Sequence, residues 1–354
     1  MFYSAGDISK VLIKKQSIYI NLFLFVILLC GIILATGMGY LQISPMEVIQ
    51  IIFSHVFLKD IPAAIDEVFP FVVWDVRLPR ILAAVLVGGG LAVSGCVFQA
   101  ILLNPLADPY TLGISSGAAF GAAIALILNI FGLVLPFWFS VPLFAFLGAI
   151  ATLYAVFYLA SADNRLSSNT LILSGVIISA ILSAGIGFIK YLADEDVSII
   201  IFWLMGSLVG KSWTDVLLVS LLFLPSFGII MFFSRDLNIM SLGEKTSDTL
   251  GIETANVRKI LLVSASLITA ACVSISGIIG FVGLIIPHLL RLILGADNRV
   301  LLPACFFAGA MLLLFADTLT RAVLPSELPI GVITSLIGGP FFCYIFRRKQ
   351  LGAQ

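Results

Sequence analysis

Residues 78–103 read LPRILAAVLVGGGLAVSGCVFQAILL. Past Arg80 no charged side chain interrupts them. A helix crosses the hydrocarbon core of a bilayer with about 20 apolar residues, so this run is long enough to span. Asn104-Pro105-Leu106-Ala107-Asp108-Pro109 follows, and its two prolines preclude a continuous helix. Behind the break a second run, 111–131, opens TLGISSGAAFGAA. Its small residues let a neighbouring helix come close, or leave room beside a pathway.

The same pattern extends in both directions. Apolar runs at about 17–39, 139–160, 169–191, 213–233, 258–277, 279–294, 300–320 and 329–346 bring the expected spans to ten. The run at 17–39 has no small-residue cleavage site and reads as a retained span, not a signal peptide. Two shorter stretches need not cross. One, MEVIQIIFSHVFL, follows a serine cap, a proline and a capping-box glutamate (Ser44, Pro45, Glu47) and suits an interfacial helix. The other is Ile199 to Val209. Ser212 and Asp215 form a second capping box ahead of 213–233. Only 11% of the 354 residues are charged and 61% are hydrophobic, against about 25% charged in soluble domains. The fold class read here is an all-α polytopic membrane protein, a single transmembrane domain over 1–354.

An even count places both termini on one side. With the termini inside, 13 lysines and arginines face inward and 6 outward, which fits cytoplasmic termini. The polar island SRDLNIMSLGEKTSDTLGIETANVRK, 234–259, with eight charged residues, is then cytoplasmic and reads as a surface that a partner grips. The zero net charge gives no reason to expect nucleic acid. The five cysteines are scattered singly, and two histidines, His55 and His288, supply too few ligands for a metal or catalytic site. No G-x-x-x-x-G-K-[ST] loop is present, so ATP is not expected to bind this chain. The spans show no acidic relay for ion coupling. Asp317 is the one acid well inside a span, and its plain reading is an i,i+4 partner of Arg321. Arg77 and Arg80 share one helix face at the outer end and read either as snorkelling side chains or, with Arg321, as a carboxylate dock. An uphill transporter with neither a relay nor a nucleotide site draws its energy from a partner, and the island is the one large inner surface for it.

Several stretches together resemble the FecCD-type permeases, membrane subunits of type II ABC importers for iron-siderophores, haem and cobalamin. They are RLPRILAAVLVGGGLAVSGCVFQAILLNPLADPYTLGISSGAAFGA, LGEKTSDTLGI, SGIIGFVGLIIPHLLRLILGADNR and ELPIGVITSLIGGPFF, in the family's order over about 75–348. The resemblance implies a homodimer in a bacterial or archaeal cytoplasmic membrane, with the path at its two-fold axis. Two ATPase subunits that bind ATP and Mg sit below, and a substrate-binding protein docks above. It implies no cofactor on this chain and no enzyme activity of its own. By position, Arg77, Arg80 and Arg321 match arginines that receive glutamates of the binding protein. Asn104 and Leu106 match one inner gate, and Ser167 and Ser168 the other. Residues 241–252 match the helices that fit the ATPase, with Leu242, Gly243, Glu244, Thr246, Leu250 and Gly251 at the contact. Thr246 departs from the family pattern, which often has alanine. The cargo implied is a bulky metal chelate, iron-siderophore first, then haem or cobalamin. The competing class is an ion-coupled secondary transporter.

Overall fold

The computed structural model describes residues 5–133, 136–161, 166–243, 247, 249, 253–322 and 327–351, and the described residues with regular structure are all helical. In chain order the helices are α1 (Ala5–Gly37), α2 (Pro45–Val56), α3 (Phe69–Ile101), α4 (Ile114–Ile130), α5 (Phe137–Ala160), α6 (Ser168–Ala193) and α7 (Val197–Leu204). They continue as α8 (Trp213–Phe232), α9 (Ser234–Met240), α10 (Thr254–Ser276), α11 (Val282–Leu294), α12 (Asn298–Ala322) and α13 (Ile330–Leu351). Among the described residues seven segments are long and apolar enough to cross a membrane: α1, α3, α5, α6 with α7, α8, α10 and α12. Three apolar helices are shorter: α4, α11 and α13 over Ile330–Cys343.

α3 is the centre. It packs against α12 most extensively, and also against α10, α11, α8 and α1. Between Leu78 and Ile101 only Leu82 and Leu86 are less than buried. A helix apolar on every side belongs inside a bundle, and its glycines set how close the neighbours come. A Cβ on Gly88 would meet the Gly309 carbonyl of α12, and one on Gly309 the Gly88 carbonyl. A Cβ on Gly95 would meet the Gly283 carbonyl of α11, while one on Gly283 would meet Pro109 and the Leu91 carbonyl. Backbones touch at these two crossings because no side chain separates them. α4 and α5 repeat the device with Gly117 against Gly148 and Gly121 against the Phe144 carbonyl.

α3 begins at Phe69, about nine residues earlier than the sequence suggests. Pro79 lies inside the helix, and a π-helical turn, Val72–Arg77, precedes it. An interior proline lacks the N–H its turn requires, and the wider turn absorbs the misfit. α2 forms on its expected caps. Glu47 accepts from the Ser44 N–H and hydroxyl at 2.9 and 2.7 Å, which holds its carboxyl below the usual range. The second capping box closes the same way, with the Asp215 carboxylate on the Ser212 N–H and hydroxyl.

Irregular backbone enters the bundle twice, at 102–113 and 277–281. The two pieces satisfy each other. The Tyr110 hydroxyl donates to the Ile279 carbonyl and accepts from the Ile279 N–H. Pro109 packs on Gly283, which also faces the Leu91 carbonyl in the second half of α3. Non-helical backbone at this depth is tolerable only when protein supplies its hydrogen bonds.

Gly88→Ala should lower the unfolding midpoint in detergent, since overpacking a tight contact costs about 1–3 kcal/mol. Gly228→Ala on α8, where a Cβ meets nothing within 4 Å, should leave it unchanged.

Candidate functional site

The two segments that the sequence resemblance assigns to a gate meet at the end of α3. Asn104 forms a tight turn: its Oδ1 accepts from the Leu106 N–H at 2.9 Å, and its carbonyl from the Ala107 N–H at 3.0 Å. Leu106 is exposed. Ser167 caps α6 through the Thr170 N–H, and its hydroxyl lies 2.8 Å from that of Thr170. The Ser168 hydroxyl reaches across to the Ile101 carbonyl at 3.2 Å. That bond fastens the start of α6 to the last turn of α3, beside the Asn104 turn. Both polar caps therefore serve as local structure while sharing one end of the bundle.

Arg258, the penultimate residue of the polar island 234–259, also reaches this end. It is buried on α10, and its Nη1 donates to the Leu166 carbonyl at 3.0 Å, one residue before the Ser167 cap. A single arginine in the first turns of an apolar helix was the signal available. Leu166 takes a positive φ of 48° there, and a buried cation holding its carbonyl supports that turn.

The segment 241–252, expected to contact the ATPase, is described in part. Glu244, Thr246, Leu250 and Gly251 lie outside the described residues. Leu242 is exposed. Gly243 sits at φ +107° with open space around a would-be Cβ, a conformation glycine adopts readily and other residues do not. Ser247 is buried, and its hydroxyl donates to the Ile239 and Gly243 carbonyls at 3.1 and 2.9 Å. Just upstream, Asn238 of α9 joins Asp297 and Asn298 at the start of α12. Arg299 clasps the Asp297 carboxylate at 2.5–3.1 Å. That pairing first, then Asn238 and the Arg299 N–H, hold the Asp297 carboxyl at about pKa 2, so it is ionised throughout the neutral range.

At the opposite end the arginines are spent within the chain. Arg77 is buried and donates to the carbonyls of Thr36, Gly37 and Leu41 at 2.8, 3.1 and 2.6 Å. Arg321 donates to Ala35 and Met38 at 2.7 and 2.6 Å. Together they cap the C-terminus of α1, where cations meet the negative end of the helix dipole. Arg80 pairs with the fully buried Asp317 at 2.9 Å and with Glu327 at 3.1 Å. The i,i+4 partnership expected of Asp317 and Arg321 is thus not the one that forms: Arg80 of α3 takes the carboxylate, and Arg321 turns to α1.

The sequence profile of the FecCD transport family matches residues 26–348. The chain belongs to the FecCD transport family. This is a family of membrane-spanning permease subunits of ABC importers. YvrB of Bacillus subtilis, named only as an ABC transporter permease, is 40% identical over 334 residues, 93% of this chain and 94% of that one. The hemin transport permease HmuU of Yersinia pestis is 39% identical over 281 residues, 78% and 84% of the two chains. Further relatives are named for Fe(3+)-citrate, cobalamin and molybdate import. A solved metal-chelate type ABC transporter in an inward-facing conformation superposes with a TM-score of 0.81 at 35% identity, covering 93% of this chain and 99% of that one. The fold described above is therefore that of an FecCD permease.

Asp317→Ala should destabilise the FecCD bundle by about 3 kcal/mol, because it strips one carboxylate from a buried guanidinium. Replacing both partners, Arg80→Met with Asp317→Leu, should cost much less. Denaturant unfolding in detergent distinguishes the two.

Proposed function

We propose that this chain is the permease half of an ATP-driven importer for a bulky metal chelate, with an iron-siderophore as its cargo. The observation that carries this reading is the family match from 26 to 348 on a fold that superposes on a metal-chelate ABC transporter. The seven long helices and the three shorter apolar ones then make ten crossings in a bacterial or archaeal cytoplasmic membrane, with cytoplasmic termini. Two copies pair. The mostly exposed apolar face of α6, with Leu173, Ile181 and Phe188, supports a partner beside the gate.

Two ATPase subunits grip 241–252, where Leu242 and the open glycine at 243 are accessible. They bind ATP and Mg; this chain binds no cofactor. A substrate-binding protein docks at the arginine end. Arg77 and Arg80 shape that face through the α1 cap and the Glu327 contact, and Arg321, less deeply buried, presents it. The turn at Asn104 and Leu106 and the caps at Ser167 and Ser168 form the inner gate. Haem and cobalamin are the alternative cargoes, each represented among the names of the relatives, which also include molybdate.

The complex with its ATPase and binding protein, reconstituted in vesicles, should take up a ferric siderophore only with ATP. Uptake of haem or cobalamin alone would replace the cargo, and ion-driven uptake without ATP would overturn the reading. In the same vesicles Gly243→Val, which forces a β-branched residue to a positive φ, should lower uptake per ATP hydrolysed.

A further inference from the structure

We propose that Asn238 is a positioning residue that carries movement of the ATPase-facing segment into the central helix and so to the gate. The inference rests on the reading of 241–252 as the ATPase contact. It is drawn from a hydrogen-bonded node that the sequence reading did not single out.

The node is compact. The Asn238 Nδ2 donates to Asp297 Oδ1 at 2.8 Å. Its Oδ1 accepts from both the backbone N–H and the Nδ2 of Asn298, each at 2.8 Å. Three of the amide's four hydrogen-bonding positions are thus filled. Asn298 is buried, and its own Oδ1 accepts from the Cys96 thiol of α3 at 3.5 Å. One turn along α3, Gln99 is fixed from two sides. Arg291 donates to its Oε1 at 2.9 Å, and its Nε2 donates to the Leu284 carbonyl at 3.1 Å. Two residues further, the Ile101 carbonyl takes the Ser168 hydroxyl. On the other side Ser247 ties the following segment to Ile239, the residue next to Asn238.

Bonded groups therefore run from the ATPase-facing segment through α9, the start of α12 and the last turns of α3 to the start of α6. Helices transmit displacement along themselves as rigid rods; at the joints between them it must pass through side chains. Asn238 is the joint between α9 and α12. Breaking it leaves the buried Asn298 short of an acceptor, a cost that keeps the two elements together. An amide suits this place because it donates to the ionised Asp297 and accepts from Asn298 at once, which no carboxylate or ammonium does.

A reciprocal exchange separates transmission from mere capping of α12. Asn238→Asp sets a carboxylate against Asp297 and removes the donor. In the assembled complex with ATPase and binding protein, uptake per ATP hydrolysed should fall about tenfold, a usual size for one coupling contact. Asn238→Asp with Asp297→Asn restores the bond with donor and acceptor exchanged, and should return the ratio to within about twofold of wild type. The exposed Asp297–Arg299 pair lost in the exchange contributes little. If Asn238→Asp does not assemble, Asn238→Ala is measured for the same ratio. A wild-type ratio in the single variant overturns the proposal. So does an exchange that recovers the unfolding midpoint without the ratio. Absence of ATP-driven uptake in the wild-type complex would instead overturn the importer reading, and this inference with it.

Discussion

Backbone-to-backbone contact along α3 is the constraint on which the other helices depend. In hydrocarbon, apolar side chains gain nothing by leaving lipid for one another, so helices associate by close packing and by polar contacts. Gly88 against Gly309 and Gly95 against Gly283 bring α12 and α11 to van der Waals distance of the central helix. With those neighbours seated, α1 packs on α12, and α8 joins α10. The chain's ends of function are then fixed by which residues the α3 termini meet.

At one terminus the requirement is to bury cations. Arg77 and Arg80 are both buried, so neither remains a solvated surface charge. The chain meets the cost with carbonyls at the end of α1 and with Asp317 and Glu327. A face so composed is rigid before any partner arrives. Its charges are held from within, by groups already committed to structure.

At the other terminus the requirement is to hold a set of interruptions. The Asn104 turn, the Ser167 cap, the Leu166 bend and the start of α12 are all breaks in helix. The Asn104 turn and the Ser167 cap close on their own side chains, and polar side chains from other elements tie the set together: Ser168 on Ile101, Arg258 on Leu166, Asn238 on Asn298. Breaks of this kind are where a helical protein bends at low cost, and the side chains across them decide which parts bend together. The proximity of the Asn104 turn, the Ser167 cap and α9 is thus a property of packing at one end of α3.

The sequence by itself determined the class of the molecule and its local punctuation. Long apolar runs dictate helices wherever backbone groups lack water, and the caps at Ser44 and Ser212 follow from chemistry within four residues. The same local logic placed a helix break at Asn104–Pro109 through its two prolines. Only the tertiary structure decided partners distant in the chain. Asp317 has Arg321 one turn away, yet it binds Arg80, 237 positions distant, because α3 and α12 touch there. Likewise Arg258, Asn238 and Asn298 look unremarkable in order, and acquire roles only where α6, α9 and α12 converge. Periodicity and capping act over a few residues, whereas burial of a charge or an amide depends on what the folded bundle brings beside it.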